Sequence, residues 1–158
     1  MIVNKIIIAL VSFIFLQVGS LYAEVSYTFK VKNTEFIGSV EKEKGGKKTI
    51  SFVGIPFAEP PVGNLRWKAP REIDKYPDTF KATTLPNRCM QISNFYDEMD
   101  GIEGGSIIGS EDCLYLNIYL SEKAYNSKEK LPVVFWIHGG GNTWGYSASN
   151  IFTSVSYT

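Results

Sequence analysis

Hydrophobic residues are spread along this 158-residue chain in short runs and alternations, not in helical periods. Met1–Asn4 leads through Lys5 into an almost unbroken apolar run, Ile6–Val18, followed by small residues. Val25, Tyr27, Phe29 and Val31 then alternate with polar positions, the two-residue period of a half-buried strand. Glu35–Val40 predicts a second short strand. Glu41–Lys48, with Gly45-Gly46 among charges, predicts a solvated turn. Thr49–Phe57 resumes the apolar pattern and stops at Pro60-Pro61, which cannot sit inside a sheet. From Gly63 to Thr84 there is no helical period, only irregular chain carrying Trp67, Pro70 and Pro77. Two later segments are stronger. Cys113–Leu120 sets Leu114, Leu116, Ile118 and Leu120 against Tyr115, Asn117 and Tyr119. Leu131–Ile137 is apolar on both faces, as a central strand covered on both sides would be. The charged connection Ser121–Lys130 reads as a hairpin loop between them. No amphipathic helix of 10–15 residues is predicted, so the covering layers that a doubly buried strand needs are not supplied by this pattern.

A basic start, a short apolar core and a small-residue exit describe a secretory signal peptide over residues 1–23, cut after Ser20 or Ala23. The alternative is a membrane anchor, for which the run falls short of the roughly 20 residues that span a bilayer. The expectation is a secreted or periplasmic protein with no stable membrane span after cleavage, its mature region covering residues 24–158. Export changes the reading of Cys89 and Cys113. In an oxidising compartment an even pair is most simply a disulfide, the alternative being two free buried thiols. The 23 residues between them are polar and rich in glycine. Closing a loop of that size stabilises a fold by roughly 3 kcal/mol on the chain-entropy account.

Composition narrows the chemistry. Sixteen Lys and Arg balance sixteen Asp and Glu, which argues against a general nucleic-acid partner. One histidine and two cysteines leave no ordinary zinc set, and no cofactor or metal is expected. Any Ser-His-Asp mechanism has only His138 to use. His138 heads His138-Gly139-Gly140-Gly141, directly after the apolar run. Consecutive glycines at a strand end let backbone N–H groups turn into a cleft, where they suit a developing oxyanion. Loops of this type form half of the oxyanion hole in lipases and esterases. An ordinary glycine-rich turn is the alternative.

Longer blocks point the same way. Ile55-Pro56-Phe57-Ala58-Glu59-Pro60-Pro61-Val62-Gly63-Asn64-Leu65-Arg66-Trp67 resembles the N-terminal signature of the type-B carboxylesterase family, which includes the cholinesterases. Glu111-Asp112-Cys113-Leu114-Tyr115-Leu116-Asn117-Ile118-Tyr119 resembles its second signature, and Pro132–Gly141 its strand and oxyanion loop. The resemblance runs from about Val25 to Gly145, in the family's order. It implies an α/β class, the N-terminal part of an α/β-hydrolase fold, and a small-molecule carboxylic ester hydrolysed through an acyl-enzyme. It places oxyanion donors at Gly140 and Gly141 and a loop-orienting role at His138. It matches Cys89 and Cys113 to the family's first disulfide. Arg66 and Glu111 fall where the family carries a buried ion pair, with solvent exposure as the alternative. Asn142 departs from the aromatic residue usual after the glycines. Between the cysteines stand Phe95 and Tyr96 but no tryptophan, which disfavours a choline-ester specialist.

The nucleophile elbow, Gly-x-Ser-x-Gly between strand and helix, is missing. Gly145-Tyr146-Ser147-Ala148-Ser149 comes nearest, but ends in serine and follows the glycine loop without an intervening strand. Three readings compete: a portion of a full esterase, a short secreted protein that binds without hydrolysing, and a non-catalytic adhesion relative. In each, these 158 residues alone are expected to lack esterase activity.

Overall fold

The structure is a computed structural model that describes residues 26–42, 45–99 and 101–148. The expected signal segment, residues 1–23, and the last ten residues lie outside that range. Among the described residues seven strands form in chain order: β1 (Tyr27–Val31), β2 (Thr34–Lys42), β3 (Lys48–Pro56), β4 (Thr79–Lys81), β5 (Gln91–Ile92), β6 (Ile107–Ile108) and β7 (Tyr115–Ser121). Two short helices, α1 (Phe95–Met99) and α2 (Glu122–Tyr125), and a 3-10 turn at Gly63–Leu65 complete the elements. The main sheet runs β1-β2-β3-β7, all antiparallel, with β4 added parallel to β2. A separate two-stranded hairpin, β5-β6, lies in the glycine-rich segment between the cysteines.

The alternation read from the sequence decides which side chains face the core. Tyr27, Phe36, Ile50, Phe52, Ile55 and Ala82 form it, with Phe29, Tyr76, Phe80, Leu116 and Leu120 packed around. Phe29 stacks on Phe36, its register partner in β2, at 4.9 Å between ring centroids and meets Phe52 edge to face at 4.7 Å. Such pairs contribute about 0.5–1.5 kcal/mol beyond the area they bury.

β3 departs from strict alternation. Ile50 and Phe52 share a face, and a continued two-residue period would put Gly54 beside them. Instead Val53 and Gly54 together oppose the single residue Asn117 of β7, since Phe52 pairs with Ile118 and Ile55 with Leu116. This β-bulge returns Ile55 to the core face. The donors it removes from the ladder are both satisfied: Val53 N–H bonds Ala82 C=O at 2.9 Å, and Gly54 N–H bonds Asn117 Oδ1 at 2.9 Å. Gly54 has φ +71, and a Cβ there would lie 2.3 Å from the Thr84 carbonyl oxygen, so only glycine fits.

Three expectations are corrected. β4 was not foreseen: three residues inside an irregular stretch carry too little pattern, and pairing with β2 alone makes them a strand. The 121–130 connection is no hairpin loop; it opens with α2, capped by Ser121 Oγ accepting from Ala124 N–H. Residues 131–137 form no strand. Val133, Val134 and Phe135 are 87%, 91% and 82% exposed, because a doubly covered strand needs neighbours that the described residues do not provide. Apolar chain so exposed, rich in β-branched and aromatic residues, is prone to self-pairing.

α2 is held to the sheet by polar contacts. Tyr27 O–H donates to Glu122 Oε1 at 2.6 Å, and Lys48 Nζ donates to the same oxygen at 2.7 Å. Tyr125 O–H donates to the Thr28 carbonyl at 2.6 Å and accepts from Thr28 N–H at 3.1 Å. Hydrogen bonds from Lys48 and Tyr27 hold the Glu122 carboxyl below its usual 4.5. The bond to Glu122 raises Lys48 above its usual 10.5 and Tyr27 above 10.0.

The α2 contacts and the exposed 131–137 segment each generate a prediction. Glu122's depressed value means its contribution is present above about pH 4.5 and lost as pH falls through the folded-state value. The raised values of Lys48 and Tyr27 mean theirs is present below about pH 10 and lost as pH rises through the folded-state values. Melting temperatures of Glu122→Gln and the parent chain should therefore differ most between these limits and converge outside them. Phe135→Lys should lower light scattering during concentration while leaving the circular dichroism of the sheet unchanged; equal scattering by both proteins would exclude residues 131–137 as the sticky segment.

Candidate functional site

The residues with chemical potential gather where two loops meet. One is the segment from Cys89 to Cys113; the other is residues 138–146. The first is closed by a Cys89–Cys113 disulfide with Cα atoms 5.0 Å apart, so the free-thiol alternative is set aside. Within it, the β5-β6 hairpin and α1 give the segment a definite shape that its glycine content concealed. Asn94 starts α1: its Oδ1 accepts from Tyr96 N–H at 2.9 Å, and Asp97 Oδ2 accepts from Asn94 N–H at 2.8 Å.

The glycine loop turns tightly. Gly140 has φ +124, Gly141 +59 and Asn142 +61. A Cβ on Gly140 would overlap the Trp144 carbonyl oxygen at 1.9 Å, so that position admits glycine alone. Asparagine suits position 142, because it enters the left-handed region more readily than most side chains. The Gly140 carbonyl accepts from Thr143 N–H at 3.0 Å, Trp144 N–H at 3.3 Å and Thr143 Oγ1 at 3.0 Å. The N–H groups of Gly140 and Gly141 make no hydrogen bond among the described residues. His138 Nδ1 lies 2.8 Å from the Gly139 carbonyl oxygen; a carbonyl only accepts, so this nitrogen carries the proton. A Cβ on Gly145 would lie 2.6 Å from the same Nδ1, so the imidazole packs against Gly145 and closes the loop's two ends on each other.

Three side chains that the sequence pattern leaves unmarked support the loops. Gln91 bonds both backbone groups of Gly145, accepting from its N–H at 2.7 Å and donating to its C=O at 3.0 Å. Asn117 Nδ2 donates to Ser147 Oγ at 3.3 Å. Arg88 pairs with Asp97, with side chains 12% and 7% exposed, and its guanidinium lies 4.0 Å above the Tyr146 ring. Tyr96 and Trp144 face each other at 5.6 Å. Nothing in the spacing of a lone Gln, Asn or Arg announces such contacts.

Arg66 Nε donates to Glu111 Oε1, so the expected partners do meet, but their side chains are 56% and 37% exposed. Of the two readings, the solvent-exposed pair is the one these side chains adopt; among the described residues the buried pair is Arg88–Asp97. Among the described residues no group of three or more His, Cys, Asp or Glu side chains is arranged to hold a metal ion. No helix there is long and apolar enough to cross a membrane.

The family model described as "Carboxylesterase family" matches residues 26–155, and the chain belongs to that family. It is 41% identical over 112 residues to Acetylcholinesterase 1 of Caenorhabditis briggsae, covering 68% of this chain and 18% of that protein. It is 39% identical over 114 residues to Juvenile hormone esterase of Tribolium castaneum, covering 72% and 18%. Cholinesterase of Mus musculus is 33% identical over 139 residues, covering 85% and 22%. The chain thus spans 18–22% of the length of these relatives. Family membership assigns the α/β-hydrolase fold, of which the described residues form a portion made mostly of antiparallel strands and loops.

Burial separates the two ion pairs energetically. Asp97→Ala leaves Arg88 buried without its partner and should cost about 3–5 kcal/mol. Glu111→Ala, on an exposed pair, should cost no more than about 1 kcal/mol. Urea titration of the two variants checks the order. Replacing Cys89 and Cys113 together by serine should cost about 2–5 kcal/mol in the same assay.

Proposed function

We propose that this chain is the oxyanion-loop portion of a secreted serine carboxylesterase that hydrolyses small-molecule carboxylic esters through an acyl-enzyme. One observation carries the reading: two adjacent glycines, Gly140 and Gly141, hold N–H groups that pair with nothing among the described residues, on a tight loop that other residues keep closed. When a serine attacks an ester carbonyl, the carbonyl oxygen gains negative charge, and N–H donors already in place stabilise it without reorganisation. Loss of one such donor typically slows turnover about 10²–10³-fold. His138 orients the loop in this reading: its ring packs on Gly145 and its Nδ1 faces the Gly139 carbonyl.

Serine nucleophile, acid and base histidine are supplied by polypeptide other than these residues. Ser147 is the central serine of the sequence motif that comes nearest to an elbow, and its hydroxyl faces Asn117 instead of an imidazole. Residues 1–23 direct export and residues 24–158 belong to the esterase domain; the Cys89–Cys113 disulfide supports an oxidising destination. The names of the relatives support an ester substrate.

The purified 158-residue chain should leave p-nitrophenyl acetate hydrolysis at the buffer rate. The native gene product, assayed in parallel, should turn the ester over. Turnover by the 158 residues that persists in Ser147→Ala would sink the proposed division of roles. A native product that binds an ester analogue without cleaving it would identify a non-catalytic binding relative instead.

A further inference from the structure

We propose that Gln91 is a positioning residue for the glycine loop, fixing Gly145 and through it the backbone that presents the Gly140 and Gly141 N–H groups. The proposal rests on the oxyanion reading of that loop and adds the residue that holds it in shape. Gln91 is 8% exposed and sits on β5, two positions after Cys89 of the disulfide and opposite Ile108 of β6. A carboxamide offers two donor hydrogens and an acceptor oxygen. Here each is used: Nε2 donates to Cys89 C=O and to Gly145 C=O, both at 3.0 Å, and Oε1 accepts from Gly145 N–H at 2.7 Å. The side chain thus imitates a strand, pairing with both backbone groups of a residue 54 positions away.

Gly145 is the closing point of the loop. Its Cα face packs on His138 and the Gly139 carbonyl, with 2.6 Å from an ideal Cβ to each, so the loop's beginning and end touch there. Between them the chain turns on the Gly140 carbonyl, which collects bonds from Thr143 and Trp144. The turn therefore has one internal anchor, at Gly140, and one external anchor, at Gly145. The external one is Gln91. The other contacts across the two loops are the ring faces of Tyr96 on Trp144 and Arg88 on Tyr146, and stacked faces slide more easily than a two-point hydrogen bond. The charged groups of the same cleft, Arg88 and Asp97, are paired with each other.

The test uses the full chain, nitrogen-15 labelled, with amide exchange and glycine resonances as readouts. Gln91→Leu keeps approximate size and removes all three bonds. It should speed exchange of Gly145 N–H about tenfold and shift the Gly139, Gly140 and Gly141 resonances, while the β3 amides of Ile50 and Phe52 keep their parent rates. Gln91→Glu supplies a finer readout. Its ionised carboxylate still accepts from Gly145 N–H but confronts the Cys89 and Gly145 carbonyls without a proton. Protonation restores one donor. The loop resonances of Gln91→Glu should therefore move toward the parent spectrum as pH falls through the carboxyl titration. Parent-like Gly145 exchange in Gln91→Leu would overturn the proposal. Should that variant lose β3 protection as well, glycine resonances of Gln91→Glu that ignore pH would overturn it equally. Ester turnover enters neither readout: a failed esterase reading leaves these shifts standing, and a failed Gln91 role leaves the esterase reading intact.

Discussion

The bulge at Val53-Gly54 is the constraint around which the described structure is arranged. β3 is the strand with the most buried residues, and its apolar positions do not follow one two-residue period from end to end. Ile50 and Phe52 face the core, and Ile55 can join them only if one residue is inserted between the pairings with β7. That insertion orphans two backbone donors in a place where water does not reach freely, and each must find another acceptor. Ala82 supplies one carbonyl by entering where β2 and β3 separate, bonding Ile37 C=O through its own N–H at 2.8 Å. Asn117 supplies the other with its side chain. Because Asn117 uses its oxygen on the bulge, its amide nitrogen is left to reach Ser147 beyond the glycine loop. One polar side chain on β7 therefore connects the core to the edge of the site.

The second connection runs through the disulfide-closed segment. The β5-β6 hairpin, the Asn94–Asp97 turn that starts α1 and the buried Arg88–Asp97 pair give a polar, glycine-rich stretch a defined shape. Gly145 is tied to that stretch through Gln91. Hydrogen-bond geometry matters more here than apolar area. Of the large side chains in this region, Phe95 and Ile107 are exposed, so little burial is available to hold the loop, and directional polar contacts take its place. The same logic separates the ion pairs. Arg66–Glu111 ties the first signature to the second across solvent, whereas Arg88–Asp97 sits inside, beneath Tyr146.

Between the sheet and the loop lies the segment 131–137, where pattern and structure disagree. Its residues read as a central strand because every one of them except Pro132 is apolar. A strand, however, is a relation between chains of backbone, not a property of one stretch. Residues 131–137 join no sheet, and Val133, Val134 and Phe135 stay exposed, although the segment leads straight into His138. The reverse happened at Thr79–Lys81, where an unremarkable tripeptide became β4 because β2 offers it an open edge.

Local alternation of side chains is legible in the chain, and with it the strands β1, β2, β3 and β7 and most of the core. The sequence also carried the signatures that mark the carboxylesterase family, the cysteine pair, and the glycines that a left-handed loop requires. These are encoded by composition at short range, where side-chain period and backbone freedom suffice. Only the tertiary structure decided that Gln91, Asn117, Arg88 and Asp97 belong to the site's support, and that Arg66–Glu111 stays exposed. Those outcomes depend on which polar groups become buried together from distant parts of the chain. A single glutamine looks the same in sequence whether its amide meets water or two backbone groups of Gly145; burial alone makes the difference.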